Sequence, residues 1–276
     1  AVRYVIVDEI HELADGKRGA QLSVALERVA ELAGEFQRIG ISATVGNPEV
    51  VGRFLCGKRP CTIVQVPVAK TLDLSVKFAG ESFGDQTKLI EKCIDAHTST
   101  LVFTNTRSVA EILGIASTNA LELGIDIGQI DHVIQFNSPR EVARLMQRTG
   151  RAGHQIHATS NGMILATGFD DILESMVIVN KAMSNQPENI RPHINAADVI
   201  ANQIAALAVE RGEIAIEKIE QIFSRSFCFE NAGPLIREVI AGMEKHYLIR
   251  TENGMVITKS RARKYLSLNL SMIADE

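Results

Sequence analysis

Two adjacent carboxylates near the start of the chain, Asp8 and Glu9, directly follow a short apolar run, Val5–Val7. The β-branched residues of this run predict a strand that is buried on both faces of a parallel sheet. The carboxylates then lie at the carboxyl end of that strand, where open α/β sheets bind ligands. There Asp8 could hold Mg²⁺ through its waters, and Glu9 could orient and deprotonate an attacking water. A strand followed by an acidic turn explains the same residues, so other motifs must decide.

The elements that would position these side chains follow from hydrophobic periodicity. Residues 17–33 are predicted to form an amphipathic helix, and residues 38–44 a second buried strand that ends in small hydroxylated residues. Pro48 is predicted to open a short helix. An alternating pattern from Leu72 indicates the first strand of a second sheet. Its further strands are predicted at 101–103, 131–136 and 163–165, with helices at 85–97, 108–113, 140–150 and 170–182.

Two places along the chain depart from an ordinary α/β pattern. After Gly114 too few residues remain for the helix of a parallel crossover, so we expect residues to be missing there. Gly52–Lys58 fits the spacing G-x-x-x-x-G-K of a phosphate-binding P-loop. Arg59 and Pro60 follow where that loop needs Ser or Thr and then a helix, and a strand is predicted next. We therefore interpret this match as coincidence and find no P-loop in the sequence.

The last third of the chain has a different pattern. A polar linker with two prolines is predicted over 184–195. Beyond it, helices are predicted at 197–211, 216–224 and 234–246, followed by a hairpin that turns at Asn253-Gly254. Three helices and a hairpin are typical of a winged helix, in which 234–246 occupies the recognition-helix position. Because its charges are mixed, packing within the protein and direct nucleic-acid contact are both open.

Composition limits the class of protein. The chain is 46% hydrophobic and 22% charged, as is usual for globular proteins. No apolar run approaches the ~20 residues of a membrane span, and no signal segment is present, so we expect a cytoplasmic protein without a membrane partner. Four cysteines without a C-x-x-C pair, Cys56, Cys61, Cys93 and Cys228, are predicted to be buried thiols in a reducing compartment. At a net charge of −4, nucleic-acid binding would depend on local basic patches.

Five ordered motifs resemble motifs II to VI of superfamily 2 helicases. They are DEIH at 8–11, SAT at 42–44, TLVFTNTR at 100–107, STNALELGIDIG at 117–128 and QRTGRAGH at 147–154. Asp8-Glu9 then matches the Walker B pattern. The sequences of the last two motifs, and the predicted winged helix that follows them in the chain, resemble the DNA helicases of the Lhr (large helicase-related) type most closely. The resemblance covers nearly the whole chain.

This resemblance implies an α/β architecture with two RecA-like parallel-sheet domains and an α+β winged-helix domain. Residues 1–67 would be the C-terminal part of an incomplete first RecA-like domain. Residues 68–184 would be the second RecA-like domain, with the gap after 114. Residues 185–276 would contain the linker, the winged helix and the start of a following region. Without the P-loop half of the first domain, we expect this chain not to bind ATP tightly.

The resemblance also implies an ATP site with Mg²⁺ as cofactor. Asp8 would hold the ion, Glu9 would activate the water, and Arg151 would be an arginine finger at the γ-phosphate. His154 stands where many relatives have a second arginine, so a two-finger arrangement is not implied. Further residues would bind the nucleotide or couple it to the motor: His11, Ser42, Thr44, Gly124, Asp126, Gln147 and Arg148.

On the nucleic-acid side, four positions match motif residues that contact the strand backbone: Thr104, Asn105, Arg107 and Thr118. Such contacts carry no sequence information. The resemblance therefore implies a monomeric ATP-driven motor that moves 3′→5′ along single-stranded or forked DNA in repair or recombination. An RNA helicase or remodeller with the same motor is one alternative. A nucleic-acid-binding module without ATPase activity is another.

Overall fold

The computed structural model describes residues 2–66, 71–112, 130–152 and 159–269. The chain forms two compact units. The first unit contains Ala1–Ser42, Asn47–Val64 and Ile190–Glu276, and the second contains Ala43–Gly46 and Gln65–Asn189. The residues around the acidic motif thus share a unit with the C-terminal region, although the sequence interpretation placed them in separate segments.

The first unit begins with a parallel pair of strands, β1 (Tyr4–Val7) and β2 (Gln37–Gly40). Val7 is buried, but Tyr4 and Ile6 on the other face of β1 are each 62% exposed. The prediction that this strand is buried on both faces is therefore wrong. Since side chains alternate along a strand, only the Val7 face of β1 reaches the core of this unit.

Three helices complete this part of the first unit. They are α1 (Ile10–Ala14), α2 (Lys17–Ala33) and α3 (Pro48–Cys56). The periodicity predicted α2 correctly to the residue. Gly57 ends α3 with a φ of 61°, and a Cβ there would lie 2.1 Å from the carbonyl oxygen of Arg225. Gly57, the second glycine of the P-loop-like spacing, therefore ends α3 at a position where the Arg225 backbone leaves no room for a side chain.

The strand predicted after this helix is not formed. Residues 61–66 have no strand assignment, and Val64 and Val66 are 80% and 75% exposed. Among the described residues, no strand pairs with this segment. A high β-propensity alone does not form a strand without such a partner.

The second unit contains a four-stranded parallel sheet with the strand order β3-β6-β5-β4. Gly162 lies on β6 (Ser160–Ala166), where a Cβ would meet the Thr149 side chain at 2.5 Å, so this glycine lets α6 (Val142–Thr149) approach the sheet closely. The helices and strands agree with the predictions to within a few residues at each end. They are β3 (Leu72–Phe78), α4 (Phe83–Asp95), β4 (Thr100–Thr104), α5 (Arg107–Ile112), β5 (His132–Phe136), α6 (Val142–Thr149), β6 (Ser160–Ala166) and α7 (Phe169–Met183).

The C-terminal region rejoins the first unit with helices around a three-stranded antiparallel sheet of order β7-β9-β8. The predicted hairpin turn is confirmed, because Asn253 and Gly254 both have positive φ values, 51° and 76°. The short strand β7 and the helix α11 were not predicted. The elements are α8 (Ala197–Arg211), β7 (Glu213–Ala215), α9 (Ile216–Arg225), α10 (Gly233–Lys245), β8 (Ile249–Glu252), β9 (Met255–Thr258) and α11 (Ser260–Asn269).

A buried carboxylate joins the two parts of the first unit. Glu27 on α2 is fully buried and accepts hydrogen bonds from Arg38 and Arg59, each at 2.8 Å. Arg225 on α9 lies 3.6 Å from its other oxygen. A buried carboxylate requires such compensation, so α2 and the C-terminal region depend on each other here.

Three of the four cysteines are buried as predicted, and all four are free thiols. Cys61 is exposed, because it begins the unpaired segment 61–66, so the prediction is wrong for this residue. Burial raises the pKa of the Cys228 thiol to about 11, which keeps it protonated. Within the described ranges, no helix has the length and apolarity needed to cross a membrane.

Candidate functional site

The first candidate site is built where β1 and β2 end. Val7 lies opposite Gly40 in the parallel register. Beyond that pair, the amide of Ile41 donates to the Val7 carbonyl at 2.9 Å, and the amide of Ile10 donates to the Ile41 carbonyl at 3.0 Å. These bonds fix the two turns that follow the strands relative to each other.

The acidic pair occupies a sharp turn between β1 and α1. Glu9 has left-handed backbone angles, φ 47° and ψ 43°, and its amide donates to an Asp8 carboxylate oxygen at 2.9 Å. For a residue with a side chain this conformation costs about 1–2 kcal/mol. Asp8 is exposed, and the Glu9 side chain is 35% exposed. The turn therefore directs both carboxylates toward solvent at the carboxyl edge of the sheet.

His11 connects this turn to the residue that follows β2. Its side chain is only 5% exposed, and its Nδ1 atom lies 3.3 Å from the Ser42 hydroxyl and 3.6 Å from a Glu9 carboxylate oxygen. Its Nε2 atom lies 3.5 Å from Glu12. The structure thus brings together four residues that the sequence nominated, Asp8, Glu9, His11 and Ser42. The fifth, Thr44, is exposed and falls in the segment that belongs to the second unit.

The donors at this edge suit a hard cation that keeps most of its waters. Mg²⁺ is commonly held by one or two carboxylates together with substrate phosphates. The exposed carboxylate of Asp8 provides such a ligand. Among the residues that the structure describes, no group of three or more His, Cys, Asp or Glu side chains could form a closed metal cage. The donor chemistry of Asp8 is compatible with Mg²⁺.

The second candidate site, in the second unit, is organised around a buried arginine. Arg148 on α6 is 2% exposed, donates to the amide oxygen of Gln135 and lies with its guanidinium 5.1 Å from the Phe103 ring centroid. Gln135 on β5 is 1% exposed, and its amide nitrogen donates to the Asn137 carbonyl at 2.9 Å and to Asn105 at 3.3 Å. Sequence reasoning missed Gln135. A lone amide within the apolar strand 132–136 was the available signal.

The residues after β4 are held by short local bonds. The Asn105 side-chain amide donates to the Ser138 carbonyl at 2.7 Å, and the Thr104 hydroxyl donates to the Thr106 carbonyl at 2.9 Å. Asn105 remains exposed and Thr104 half-buried. Thr104 and Asn105, which were predicted to contact the nucleic-acid backbone, are therefore accessible at the carboxyl edge of the second sheet.

The other residues predicted from the last motif lie at the end of α6. Gln147 and Arg151 are half-buried, and the amide of Arg151 donates to the Arg148 carbonyl at 3.2 Å. Arg107 begins α5, but its side chain lies outside the described residues, as do Thr118, Gly124, Asp126, His154 and the predicted gap after Gly114.

The predicted linker contributes contacts that sequence reasoning also missed. Within the second unit, the Glu188 carboxylate accepts hydrogen bonds from the amides of Val142 and Ala143, at 2.7 and 3.1 Å. A carboxylate at a helix N-terminus is stabilising, so Glu188 fixes the start of α6, the helix that carries Arg148.

Within the first unit, the same linker is held by the side chains of Asn47 and Asp15. The Asn47 amide both donates to the Ile190 carbonyl at 2.9 Å and accepts from the Ile190 amide at 2.8 Å. Asp15, which follows α1, accepts from the Arg191 amide at 2.8 Å. Residues 188–191 are therefore bonded to the protein, although their composition is that of a free linker.

Comparison with known proteins gives a consistent result. Residues 1–51 match the family model "DEAD/DEAH box helicase", and residues 57–155 match "Helicase conserved C-terminal domain". The chain is 36% identical over 286 positions to the ATP-dependent helicase Lhr-Core of Methanothermobacter thermautotrophicus, covering 83% of this chain and 33% of that protein. It is similar to the structure of Mycobacterium smegmatis helicase Lhr bound to ssDNA and AMP-PNP, with a TM-score of 0.85, 31% identity, and coverage of 96% and 42%.

The chain spans less than half the length of these relatives. The ATP-dependent helicase Lhr-Core of Sulfolobus acidocaldarius, 32% identical, covers 100% of this chain and 39% of its own length. That alignment occupies 343 positions, more than the 276 residues present here. The relative therefore carries residues inside the matched region that have no counterpart in this chain.

Proposed function

Because the chain belongs to the Lhr-type superfamily 2 helicases, we propose that the whole protein hydrolyses ATP to move along DNA, with 3′→5′ polarity, in repair or recombination. The observation that carries this proposal is the grouping of Asp8, Glu9, His11 and Ser42 at the carboxyl ends of β1 and β2. In this group, the buried His11 of the DEIH motif contacts Ser42 of the SAT motif.

The chemistry of the proposed site is mainly electrostatic. Phosphoryl transfer spreads negative charge over the γ-phosphoryl oxygens and needs an oriented nucleophile. Asp8 would hold Mg²⁺, which would neutralise phosphate charge when bound. Glu9 would orient the attacking water and accept its proton. The His11 contacts to Glu9 and Ser42 would make the position of the base sensitive to the turn after β2, as would Thr44 farther along that turn.

The second unit would supply the cation that phosphoryl transfer requires. We assign this role to Arg151, because it lies directly beyond α6 and is half-buried, not fully enclosed. Arg148 is already bonded within its own unit, so its contribution would be to hold the end of α6 in place. Gln147, Gly124 and Asp126 are proposed to bind or couple the nucleotide by their motif positions.

We propose that the nucleic-acid backbone binds near the carboxyl end of β4. Thr104 and Asn105 are accessible there, and Arg107 and Thr118 are assigned by motif. Small hydroxyl and amide donors suit phosphate oxygens and read no sequence. The relative from Mycobacterium smegmatis, described as bound to ssDNA and AMP-PNP, supports single-stranded DNA as the track.

The domain assignment is also a proposal. Residues 1–67 and 68–184 would be parts of two RecA-like domains, and the antiparallel sheet with its helices within 185–276 would be a winged helix. The order β7-β9-β8 with α8, α9 and α10 packed around it supports that assignment.

The deciding experiment measures the ATPase rate of the whole protein with and without single-stranded DNA. A DNA-stimulated rate supports the motor. The absence of any stimulation would overturn it and leave a nucleic-acid-binding module. Strand displacement on DNA and RNA duplexes with a 3′ or a 5′ tail then tests substrate and direction. Unwinding of RNA alone, or only from 5′ tails, would contradict the corresponding part of the proposal.

A further inference from the structure

An exposed aromatic side chain marks the point where α10 ends and β8 is about to begin. Tyr247 is 63% exposed and has a left-handed backbone, with a φ of 58°. This backbone ends α10 in an ordinary way, because the Leu248 amide donates to the Met243 carbonyl at 3.0 Å across the left-handed residue. The exposure of the ring, and not its backbone, distinguishes Tyr247. Neither of the two candidate sites described above contains this residue.

Two cations from the other end of the hairpin flank the ring. The Lys259 ammonium lies 5.4 Å from the Tyr247 ring centroid, and the Arg261 guanidinium carbon lies 5.8 Å from it. Together with Ser260, these residues line an open cavity of about 420 Å³. Ser260 begins α11, a helix of 10 residues whose N-terminal dipole favours anions. An aromatic surface, two cations and a helix N-terminus therefore converge on one opening.

Cationic side chains outnumber carboxylates in this region of the sequence. Residues 245–264 carry six cationic side chains and one carboxylate, in a chain whose net charge is −4. That carboxylate, Glu252, pairs with Arg250 at 2.8 Å. Among the described residues, neither Lys259 nor Arg261 forms an ion pair. The six cations are Lys245, Arg250, Lys259, Arg261, Arg263 and Lys264.

An acidic side chain near the end of α10 makes hydrogen bonds of its own. Both carboxylate oxygens of Glu244 accept hydrogen bonds from Thr251, at 2.7 Å from its amide and 2.6 Å from its hydroxyl. These bonds, and then the charge of Lys259, lower the pKa of Glu244, which stays ionised and is held against β8. Glu244 therefore acts on Lys259 at a distance and forms no direct ion pair with it, so Lys259 and Arg261 can still contact an external anion.

We infer that Tyr247, Lys259, Ser260 and Arg261 form a binding site for single-stranded nucleic acid. A base stacks on the exposed Tyr247 ring, and the adjoining phosphates bind Lys259, Arg261 and the start of α11. Sequence-tolerant strand binding combines these two features, a cationic groove and an aromatic platform. An open cavity also suits a continuous strand better than an enclosed small ligand. This inference rests on the proposed function only for the nature of the ligand.

The test compares matched variants by fluorescence anisotropy with labelled oligothymidine, oligouridine and an abasic strand. Tyr247→Asn removes the ring but tolerates the left-handed backbone, and Tyr247→Phe keeps the ring. We expect Tyr247→Asn to weaken binding of oligothymidine about tenfold and Tyr247→Phe to bind like the wild type. On the abasic strand the two variants should bind alike, since no base is present to stack.

Charge variants supply a second measurement. Lys259→Gln and Arg261→Gln should each reduce the salt dependence of binding by about one released ion. Arg237→Gln is the matched control, because Arg237 is an exposed cation on α10 that pairs with Glu220 at 2.7 Å. It should leave affinity and salt dependence unchanged. Circular dichroism checks that every variant is folded.

The outcomes separate this inference from the proposed function. If Tyr247→Asn binds like the wild type, or if Arg237→Gln weakens binding as much as Lys259→Gln, the site is wrong even where ATPase stimulation persists. If binding depends on Tyr247 but DNA does not stimulate the ATPase, the site holds and the motor fails. A wild type that binds no single strand overturns both. Equal effects on oligothymidine and oligouridine would show a site for either polymer.

Discussion

The acidic site of the first unit and the arginine network of the second unit differ in the exposure of their side chains and in the length of their contacts. Around His11 the contacts are long, 3.3 to 3.6 Å, and the carboxylates of Asp8 and Glu9 face solvent. Around Arg148 and Gln135 the side chains are 1–2% exposed, and the Gln135 amide donates at 2.9 Å to the Asn137 carbonyl. The first arrangement leaves its groups available for a ligand, whereas the second already has its partners inside the protein.

This difference predicts that substitutions at the two sites affect different quantities, the rate of turnover at the first and the free energy of unfolding at the second. Exposed ionic groups with loose contacts add little to stability, and their removal should be seen mainly in turnover. A buried polar group whose partner is removed remains without water or a hydrogen bond, and that cost appears in the free energy of unfolding. Motif membership alone does not distinguish the two cases, since both sites come from helicase motifs.

The largest expected effect concerns Glu9. Glu9→Gln preserves the shape of the side chain but removes the proposed base, so the DNA-stimulated ATPase rate should fall about 10²- to 10⁴-fold. The unfolding temperature should not change, because the carboxylate is partly exposed and makes only long contacts. Steady-state ATPase assays and thermal unfolding of the whole protein measure the two quantities.

Two results would break the comparison at this residue. A large fall in the unfolding temperature of Glu9→Gln would show that the site has a structural role. An unchanged ATPase rate would remove Glu9 from catalysis. Asp198→Asn is a matched control, because Asp198 is also a partly exposed carboxylate of the first unit, paired with Lys17 at 3.1 Å.

The next effect concerns two arginines four residues apart on α6. Arg148→Met leaves the buried oxygen of Gln135 without its donor, so we expect a loss of about 2–3 kcal/mol in the free energy of unfolding. Arg144→Met should cost less than about 0.5 kcal/mol, because Arg144 is 39% exposed and meets Glu141 only at 3.5 Å. Urea unfolding measures both. Equal losses would contradict the distinction between support and surface.

The elements of the two parallel sheets were largely predictable, because their signals are local. The periodicity of 17–33 and the alternation from Leu72 depend on which side chains face the core. The structure confirms α2 at its predicted bounds and β3 from its predicted first residue. The burial of β1 was not predictable in this way. An apolar run predicts a strand, but whether Tyr4 and Ile6 are covered depends on which other elements lie beside it.

The site was predictable as motifs and not as a set of contacts. Residue types nominated Glu9, His11 and Ser42, but only the register of β1 with β2 places Ser42 beside the other two. The linker shows the same limit more strongly. Nothing local in a proline-containing polar segment indicates that Asn47 and Glu188 will form its hydrogen bonds, because their partners lie far away in the sequence.

A smaller effect tests the strain in the acidic turn. Glu9→Gly removes the Cβ that makes the left-handed backbone unfavourable, so it should stabilise the protein by about 1 kcal/mol while abolishing the function of the side chain. Glu9→Gln retains the Cβ and is the control. Thermal unfolding measures the difference between the two variants. A lower unfolding temperature for Glu9→Gly would mean that this turn is not strained.

The smallest expected effect concerns His132, a buried side chain that, unlike Arg148, has no hydrogen-bond partner. His132 on β5 is 6% exposed and stacks on His97 at 4.1 Å between ring centroids, and neither of its ring nitrogens has a hydrogen-bond partner. Burial, and then the nearby His97 and Lys77, lower the pKa of His132 from its usual 6.5, with Asp73 opposing them. The folded protein therefore resists protonation at this site.

The sign of the pH dependence follows from this lowered pKa. Below pH 6.5 the unfolded chain takes up a proton at His132 that the folded chain does not, so stability falls as the pH falls toward the folded pKa. His132→Phe keeps an aromatic ring beside His97 and should lose this slope. Urea unfolding at about pH 7.5 and about pH 5.5 measures it, above the range in which Glu31 and Glu35 contribute, since their pKa values are lowered from 4.5. An equal slope in the wild type and in His132→Phe would assign the dependence to another group.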